Sequence, residues 1–335
     1  MNLKGKKVLV TGGAGFIGSS LVKRLLIEGA SVKVIDNLWR GTLENLESLK
    51  SHGFEVSRDF YFTDLTDYSK CLELIRDVDV VYHLADIVAG VDYVFSHEPF
   101  VFRQNILINS NVLWACITNK ISNYIYPGTA CSFPKKLQMA EGITRLHEDH
   151  TYPAEPETSY GWGKLMGEYE ALLAQNTYKI NVGLLRFHNV YGPGVLFETK
   201  RSQVIPSLIR KAILFPQEKF TVWGSGNQYR DFVYIDDVID ALILVLKRGM
   251  NKGLIQIGSE KATTLRELSE NIVKISKKSI KIKFDISKPE GDRGRIGDCG
   301  RAKEILKWHP KVDINSGLEK TYKWIKQQIE NQTSL

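Results

Sequence analysis

The sequence predicts an α/β protein with a doubly wound parallel β-sheet and a smaller C-terminal lobe, on three observations. Short β-branched runs alternate with helical patterns through the first half, as in parallel sheets that are covered by helices on both faces. A glycine-rich turn joins the first predicted strand to the first predicted helix. After residue 187 the pattern loosens, and Gly and Pro cluster between shorter elements. Together these features favour a sheet of the Rossmann type.

The predicted sheet consists of short, apolar strands with few charged residues. They lie at residues 7–11, 31–36, 59–63, 78–83, 124–127, 182–186 and 254–257. A helix is predicted over residues 16–28, because its apolar residues share one face and Gly29 follows the last turn. A terminal amphipathic helix is predicted over residues 317–330.

The chain is expected to divide into two unequal parts. The larger domain covers residues 1–187, and a strand and a helix near residues 230–258 return to it. Residues 188–335 form the smaller lobe, whose short pieces indicate insertions rather than an independent module.

The composition is that of an ordinary globular protein. Of 335 residues 43% are hydrophobic, and 45 Lys and Arg against 38 Asp and Glu give a net charge of +7. Charges of both signs are interspersed, which favours a mildly basic surface over a nucleic-acid site. The sequence contains no run of about 18 apolar residues, so no membrane span is predicted. It also contains no Cys-x-x-Cys pair, so neither a zinc site nor a disulfide framework is predicted. We expect a cytoplasmic protein that binds no nucleic acid, membrane or metal.

Residues 11–18, T-G-G-A-G-F-I-G, lie between a predicted strand and a predicted helix. Gly12, Gly15 and Gly18 allow a tight turn, a close approach of the backbone to a pyrophosphate, and close packing of the helix. The unpaired N–H groups at the helix N-terminus then face the phosphates. Asp36 ends the second strand, where its carboxylate can accept hydrogen bonds from ribose hydroxyls and would repel a 2′-phosphate. The pattern predicts NAD rather than NADP.

Further cofactor contacts are expected from the same turn and from the ends of the next strands. The expected residues are Phe16, Ile17, Asn37, Asp64, Leu65, Leu84 and Ala85, together with Tyr160 and Lys164. Asp64 follows the third strand, where an acid could contact adenine. A turn residue or N-cap before Leu65 is an almost equally good interpretation of Asp64.

Tyr160 and Lys164 carry the predicted chemistry. Residues four apart on a helix project from one face, within reach of each other. The lysine cation would lower the pKa of the phenol, so that Tyr160 could exchange a proton with a substrate hydroxyl while a hydride moves to NAD. Thr129 lies upstream and could hold the substrate oxygen. Tyr-x-x-x-Lys alone is common on helix surfaces, but its combination with the glycine-rich turn indicates catalysis.

These motifs resemble those of the extended short-chain dehydrogenases/reductases, in the NAD-dependent epimerase/dehydratase family, over nearly the whole chain. The resemblance implies that Thr129, Tyr160 and Lys164 form a catalytic triad and that the substrate is a nucleotide sugar. Family members use positions within R-F-H-N-V-Y-G-P, W-G-S-G-N-Q-Y-R-D-F and P-E-G-D-R-G-R to hold the diphosphate and the sugar. The matching residues are Asn189, Arg230, Arg293 and Arg295. Arginine forks suit phosphate oxygens, although either loop arginine could instead be solvated.

Within the family, the segments A-C-S-F-P and R-G-R-x-x-D are most similar to the branch of GDP-mannose 3,5-epimerases, and the GDP-fucose synthases come next. This resemblance implies an epimerase with tightly bound NAD that acts on a GDP-hexose. In that branch the sugar is oxidised at C4, the ketone acidifies neighbouring C–H bonds, and a cysteine and a second acid/base group invert them. Cys131 matches the cysteine. A thiolate there would be a competent base, although Cys131 could also be a small wall residue of the sugar pocket.

One position departs from both branches. They carry a lysine or a histidine shortly before a proline, whereas Gln203 and Val204 stand here. Glutamine cannot exchange a proton at neutral pH. Lys200, His147 or His188 could substitute, but nothing in the sequence shows which of them does.

Other reactions of the family stay open. A 4-epimerase needs only the triad and room for the keto sugar to turn over, and it is the main rival. A 4,6-dehydratase usually has an acidic pair after its threonine, where Ala130 and Cys131 stand here. Net reduction at C4 would use NADPH, against which Asp36 argues. A protein that binds NAD without catalysis would have no need of Tyr160 and Lys164.

The resemblance also implies a homodimer. Members of the family often pair through two helices into a four-helix bundle. Residues 106–117 and 165–173 carry apolar side chains that would suit this pairing, although such side chains serve a core equally well.

Overall fold

The strands of the protein are short, and β-branched and aromatic residues dominate most of them. A computed structural model describes residues 2–139, 142–198, 202–288 and 293–333. The strands in chain order are β1 (Lys7–Thr11), β2 (Ser31–Asp36), β3 (Phe60–Phe62), β4 (Val80–His83), β5 (Asn123–Thr129), β6 (Thr144–Leu146), β7 (Asn181–Phe187), β8 (Asn189–Tyr191), β9 (Thr221–Trp223), β10 (Tyr229–Tyr234), β11 (Leu254–Ile257), β12 (Ala262–Thr264), β13 (Lys283–Asp285) and β14 (Arg295–Gly297).

Helices connect most of these strands. They are α1 (Phe16–Ile27), α2 (Leu43–Glu47), α3 (Val56–Asp59), α4 (Tyr68–Leu74), α5 (Val91–Ser96), α6 (Glu98–Thr118), α7 (Lys135–Gln138), α8 (Ser159–Tyr178), α9 (Val204–Leu214), α10 (Ile235–Leu244), α11 (Leu265–Ser276) and α12 (Ile314–Thr333). Shorter 3-10 turns and π-helical segments occupy Lys50–His52, Ala130–Ser132, Glu148–Thr151, Val245–Gly249 and Ala302–Leu306. Of the described helices, none is long and apolar enough to span a membrane.

The main sheet has seven parallel strands in the order β11-β7-β5-β4-β1-β2-β3. The chain moves outward from β1 through β2 to β3, and then returns to place β4 on the other side of β1. This reversal leaves a crevice at the carboxyl ends of β1 and β4, which is where open α/β sheets bind ligands. The predicted fold class, a doubly wound parallel sheet, is confirmed.

Both faces of the main sheet are buried, which explains why its strands read as continuous apolar runs. Along β1, Val8 and Val10 pack into one core cluster with Leu21 of α1, while Leu9 packs into another with Val112 of α6. Helices α6 and α8 cover the second face, and α1 and α10 cover the first. The alternation fixes the register of β1, because a slip by one residue would exchange the two faces.

Three small sheets lie outside the main sheet, and most of their strands belong to residues 188–335. One sheet has the order β12-β10-β8, and the others pair β13 with β9 and β14 with β6. The β14–β6 pair joins residues that lie about 150 positions apart, since Arg295 stands opposite Thr144. Helix α10 and strand β11 rejoin the main sheet and its α1 layer. The domain boundary at residue 187 stays a prediction.

Candidate functional site

The glycine-rich turn brings the backbone of three elements close together. Gly12 has φ +68°, and a Cβ there would lie 2.8 Å from the backbone nitrogen of Ala85. A Cβ on Gly18 would overlap the Gly12 carbonyl oxygen. Gly15, the residue before α1, has no side chain to cap the helix. The amide N–H groups of the first turn of α1 are thus left for an anionic ligand.

Asp36 closes the end of β2 beside this turn. Its buried carboxylate accepts hydrogen bonds from the backbone N–H groups of Ala14 at 3.0 Å and Leu38 at 2.8 Å. Burial raises the pKa of Asp36, and these backbone donors oppose the rise. The two contacts hold the carboxylate at the edge of the crevice, where it can accept hydrogen bonds from ribose hydroxyls.

A single cleft of about 1810 Å³ runs from the glycine-rich turn into the smaller lobe. It is lined by almost all of the residues that the sequence predicts for the cofactor: Gly12, Gly15, Phe16, Ile17, Gly18, Asp36, Asn37, Leu65, Leu84, Ala85, Tyr160 and Lys164. The tight glycine turn, the uncapped helix end and the carboxylate at the end of β2 fit a dinucleotide. These residues would hold NAD along the carboxyl edge of the main sheet.

Asp64 is the predicted cofactor residue that the structure places apart from the cleft lining. Its carboxylate accepts hydrogen bonds from the backbone N–H and the hydroxyl of Thr66, at 2.9 and 2.7 Å, and lies 3.4 Å from the amide nitrogen of Asn37. These contacts correspond to the turn interpretation of Asp64. Its neighbours Thr63 and Leu65 line the cleft.

Tyr160 lies in the first turn of α8, where the Thr158 hydroxyl caps the helix by accepting from the N–H of Gly161 at 3.1 Å. Its phenol lines the cleft together with Thr129, at the end of β5. Desolvation raises the pKa of Tyr160 well above its ordinary value, and the Asp86 carboxylate raises it further. A hydrogen bond with Thr129 lowers that pKa.

Lys164 is buried on α8 and pairs with a carboxylate that the sequence analysis did not single out. Its ammonium forms a buried ion pair with Asp86 and donates to the carbonyl oxygen of Pro127 at 2.8 Å. It also lies 4.6 Å from the centre of the Tyr126 ring. A hydrogen bond with Thr129 and the charge of Arg40 lower the pKa of Tyr160. That Lys164 also lowers this pKa stays a prediction.

Cys131 sits in the 3-10 turn Ala130–Ser132, directly after β5. The side chain is half-buried and lines the same cleft as Tyr160. Arg295 on β14 approaches it, with a guanidinium nitrogen 3.5 Å from the Cys131 sulfur. A Cβ on Gly161 would overlap the Cys131 carbonyl oxygen, so glycine at this position lets α8 pack closely beside the cysteine.

Three of the four predicted substrate-binding residues line the cleft in the smaller lobe. Asn189 donates to the carbonyl oxygen of Asp231 at 3.1 Å, and Arg230 donates to that of Tyr229 at 2.8 Å. Arg295 is buried beside Cys131. Arg293 has an exposed side chain outside the described cleft lining. The structure therefore brings Asn189, Arg230 and Arg295 to the cleft and leaves Arg293 at the surface.

The candidates for a second acid/base group lie in different places. Gln203 and Val204 line the cleft at the start of α9. His147 is exposed and lies 3.8 Å from the Asp298 carboxylate, and it is outside the described cleft lining. The His188 ring is buried 3.1 Å from the Gln256 side chain, and burial lowers its pKa. Lys200 lies outside the described residues.

Sequence reasoning missed two charged residues of the site. Asp86 is separated from the end of β4 by Leu84 and Ala85, which the sequence analysis assigned to the cofactor site. Arg40 lies after the end of β2. Both line the cleft and both act on Tyr160. The available signal was their position, because polar residues after the carboxyl ends of parallel strands face the crevice.

The model of one protein family matches residues 8–258, from β1 to the residue after β11, and is described as the NAD dependent epimerase/dehydratase family. The chain belongs to the NAD-dependent epimerase/dehydratase family. The expectations that it is an enzyme and that its cofactor is NAD are confirmed.

Individual relatives span almost the whole chain. GDP-mannose 3,5-epimerase of Arabidopsis thaliana is 31% identical over 97% of this chain and 84% of its own length. The structure of UDP-glucose 4-epimerase from Thermotoga maritima with UDP-glucose superposes with a TM-score of 0.86 at 26% identity, over 96% of this chain and 99% of that one. UDP-glucuronic acid 4-epimerase from Bacillus cereus, in complex with UDP-glucuronic acid and NAD, gives 0.78 at 29% identity, over 96% and 99%.

Proposed function

We propose that the protein is a nucleotide-sugar epimerase that resembles the GDP-mannose 3,5-epimerases, with a GDP-hexose as its leading substrate. The observation that carries this proposal is that Cys131 and Tyr160 line one cleft, with Arg295 at the cysteine sulfur. The 31% identity to a GDP-mannose 3,5-epimerase over 97% of the chain supports the same reaction class.

Tyr160 and Thr129 act at the sugar hydroxyl that is oxidised. The Thr129 hydroxyl holds the oxygen, and Tyr160 takes the proton and later returns it. Bound NAD supplies the hydride acceptor for C4 and the donor for the reverse step. Because both steps occur on one sugar, the enzyme needs no external oxidant and regenerates its cofactor in each turnover.

Cys131 acts on the carbon skeleton after that oxidation. A ketone at C4 acidifies the C–H bonds at C3 and C5, so a thiolate can remove one of these protons and allow its return to the opposite face. Arg295 can donate to the thiolate at the sulfur. Asn189 and Arg230 line the cleft in the smaller lobe and would bind the diphosphate and the sugar.

A simple 4-epimerase is the second candidate, and a specific observation favours it. Gln203 and Val204 line the cleft near the start of α9, where the sequence comparison above expects a lysine or a histidine. Neither side chain can supply a proton to the second face of the sugar. A 4-epimerase needs only the triad, and the similarity to UDP-glucose 4-epimerase extends over 96% of the chain.

Proton exchange with solvent separates the two reactions. The NAD-loaded enzyme is incubated with GDP-mannose in deuterated water and followed by proton NMR. We expect deuterium at C3 or C5, with new gulose or galactose isomers. We expect Cys131→Ala to lose this exchange while keeping transient reduction of bound NAD. Cys299→Ala, at a buried cysteine outside the described cleft lining, is the matched control and should keep both.

The absence of deuterium in the sugar carbons would contradict the 3,5 reaction on GDP-mannose. UDP-, CDP- and dTDP-sugars would then be screened for C4 epimers, which would establish the second candidate. Exchange that persists in Cys131→Ala would remove the cysteine from the mechanism while leaving the reaction class intact.

We also propose that two copies pair through α6 and α8. One face of each helix packs on the main sheet, and the opposite face carries large apolar side chains that are 40–49% exposed: Phe102, Trp114, Tyr169, Leu173 and Tyr178. On this face the Trp114 and Tyr178 rings meet edge to face at 5.4 Å. Several large, exposed apolar side chains on two adjacent helices are typical of a protein–protein interface.

A further inference from the structure

Asp231 is a buried carboxylate of the smaller lobe that the proposed reaction does not use. It lies on β10 next to Arg230, and its side chain is fully buried. The carboxylate accepts hydrogen bonds from the backbone N–H and the hydroxyl of Ser259, at 2.6 and 2.7 Å. It also accepts from the backbone N–H groups of Gly297 at 3.0 Å and Glu260 at 3.3 Å. A buried carboxylate is unfavourable without such donors, so the charge and the surrounding backbone hold each other in place.

The donors to Asp231 come from two separate parts of the chain. Ser259 and Glu260 follow β11, the edge strand of the main sheet, whereas Gly297 is the last residue of β14. The carboxylate therefore joins β10 both to the edge of the main sheet and to β14. A Cβ on Gly258 would overlap the Asp231 carboxylate, so glycine at this position lets the turn after β11 approach closely.

Strand β14 is tied to β10 on both sides of Arg295. Two residues before it, the Arg293 carbonyl oxygen accepts from the Tyr229 N–H at 3.0 Å. Two residues after it, the Gly297 N–H donates to the Asp231 carboxylate at 3.0 Å. The first contact joins two backbones and is open to almost any side chain, but the second needs an acceptor side chain at position 231. The place of Arg295 therefore depends on Asp231.

The same residue contacts other parts of the substrate cleft. The Asn189 side chain donates to the Asp231 carbonyl oxygen at 3.1 Å, and Arg230 is the neighbouring residue on β10. A guanidinium nitrogen of Arg295 lies 3.5 Å from the Cys131 sulfur. Asn189, Arg230, Arg295 and Cys131 all line the cleft. Asp231 thus connects the three cleft-lining residues that the sequence predicts for substrate binding.

We propose that Asp231 is a positioning residue: its carboxylate holds β14 in the place that puts the Arg295 guanidinium at the Cys131 sulfur. The inference rests on the proposed function in that Cys131 acts as the base and Arg295 as the donor to it. Loss of the carboxylate releases the Gly297 end of β14, and the guanidinium moves away from the sulfur. A purely electrostatic role has the opposite sign, because deleting a buried negative charge makes the potential at the cysteine more positive.

The test compares two alkylating reagents that differ in charge. Iodoacetate and iodoacetamide both react with the Cys131 thiolate, so the ratio of their rates cancels the thiolate fraction and reports the charge near the sulfur. A guanidinium beside the sulfur favours the iodoacetate anion. The NAD-loaded enzyme is used without a sugar. Cys71, Cys116 and Cys299 are buried, and peptide mass mapping assigns the reaction to each cysteine.

Asp231→Asn keeps the size of the side chain but turns an NH₂ group toward one of the N–H donors. We expect the ratio of the iodoacetate rate to the iodoacetamide rate at Cys131 to fall by about three- to tenfold. Arg295→Met should lower the ratio at least as much, and adding Asp231→Asn to it should cause no further fall. An unchanged or higher ratio in a folded Asp231→Asn enzyme would overturn the proposal. A further fall in the double variant would also contradict it, because Asp231 would then act independently of Arg295.

Asp237→Asn is the matched control. Asp237 on α10 is also buried, accepts from the backbone N–H groups of Lys311 at 3.0 Å and Val312 at 3.1 Å, and is outside the described cleft lining. Its loss should lower stability and leave the ratio at the wild-type value. A fall as large as that of Asp231→Asn would show that the ratio reports general loosening of the fold, against the proposal.

Ser259→Ala covers the case in which Asp231→Asn does not fold. It removes one hydroxyl donor to Asp231 and keeps the buried charge, and we expect the ratio at Cys131 to fall by about twofold. An unchanged ratio in this variant would contradict the proposal. The alkylation needs no substrate, so its outcome is independent of the deuterium experiment, which tests the sugar and the carbon inverted.

Discussion

The Tyr160 phenol lies in a desolvated part of the cleft with the Thr129 hydroxyl, where the proposed reaction has it exchange a proton with a substrate oxygen. We expect Tyr160→Phe to lower kcat by about 10²- to 10⁴-fold, the usual contribution of a positioned acid/base group. NAD affinity should change little, because the ring remains. Turnover and NAD binding are measured on the same preparation.

Tyr169→Phe provides the comparison for that experiment. Tyr169 lies on the same helix, but its side chain is 49% exposed and is outside the described cleft lining. It should leave both turnover and NAD affinity at wild-type values. Turnover in Tyr160→Phe within a few-fold of the wild type would remove Tyr160 from the proposed chemistry.

Single residues were predictable where a spacing encodes the geometry. Gly12 and Gly18 are specified by the turn, and Tyr160 and Lys164 by one helical turn, and all four line the cleft. Asp86 was not predictable, because its partner Lys164 is brought to it only by the packing of α8 on the sheet.

At the scale of elements, α6 and α8 show why a helix can look apolar on all sides. One face packs into the core through residues such as Val112, and the other exposes Trp114 and Leu173 to solvent. If this outer face forms a dimer, we expect Leu173→Arg to convert the protein to monomers, because a buried, unpaired charge at an interface is unfavourable. Sedimentation velocity over a range of protein concentrations measures this.

Ile286→Arg is the matched control, because Ile286 directly follows β13, lies outside α6 and α8, and is 83% exposed. It should leave the sedimentation coefficient unchanged. A wild-type protein that sediments as a monomer at every concentration would contradict the proposed pairing.

Strands of the main sheet were predictable because they are buried apolar runs. The strands β1, β2 and β11 have the predicted bounds, whereas β5 and β7 extend beyond the predicted 124–127 and 182–186. The three-residue strands of the smaller lobe, such as β6 and β14, were not predicted. They have too few residues for periodicity, and β14 acquires its partner β6 only in the folded chain.

At the scale of the whole molecule, the alternation of strands and helices predicted the sheet class, and the returning segment near residues 230–258 contributes β11 to the edge of that sheet. The path of the second half could not be predicted, because the cleft depends on contacts between distant residues. The approach of Arg295 to Cys131 spans 164 positions and follows from the pairing of β14 with β6.

His83 on β4 links the stability of the whole fold to pH. Its buried ring has one nitrogen 2.7 Å from the Thr11 hydroxyl and the other 3.0 Å from the side-chain oxygen of Asn109. The folded protein holds the pKa of His83 at about 3, whereas a histidine in the unfolded chain titrates near about 6.5. Between these values the unfolded state binds a proton that the folded state excludes, so this contribution to stability is complete above about pH 6.5 and is lost as the pH falls toward 3. Raised pKa values at Asp36 and Asp86 act in the opposite sense, so His83 must be isolated by substitution.

We therefore compare urea unfolding of the NAD-loaded wild type and His83→Gln between pH 5 and 6. Glutamine can keep contacts with Thr11 and Asn109 but takes up no proton. The free energy of unfolding should rise with pH less steeply in His83→Gln, by up to about 1.4 kcal/mol per pH unit, which corresponds to one proton. His309→Gln, at an exposed position, is the control for the loss of a histidine. Equal slopes for wild type and His83→Gln would show that His83 binds its proton in the folded state as it does in the unfolded chain, which contradicts the lowered pKa.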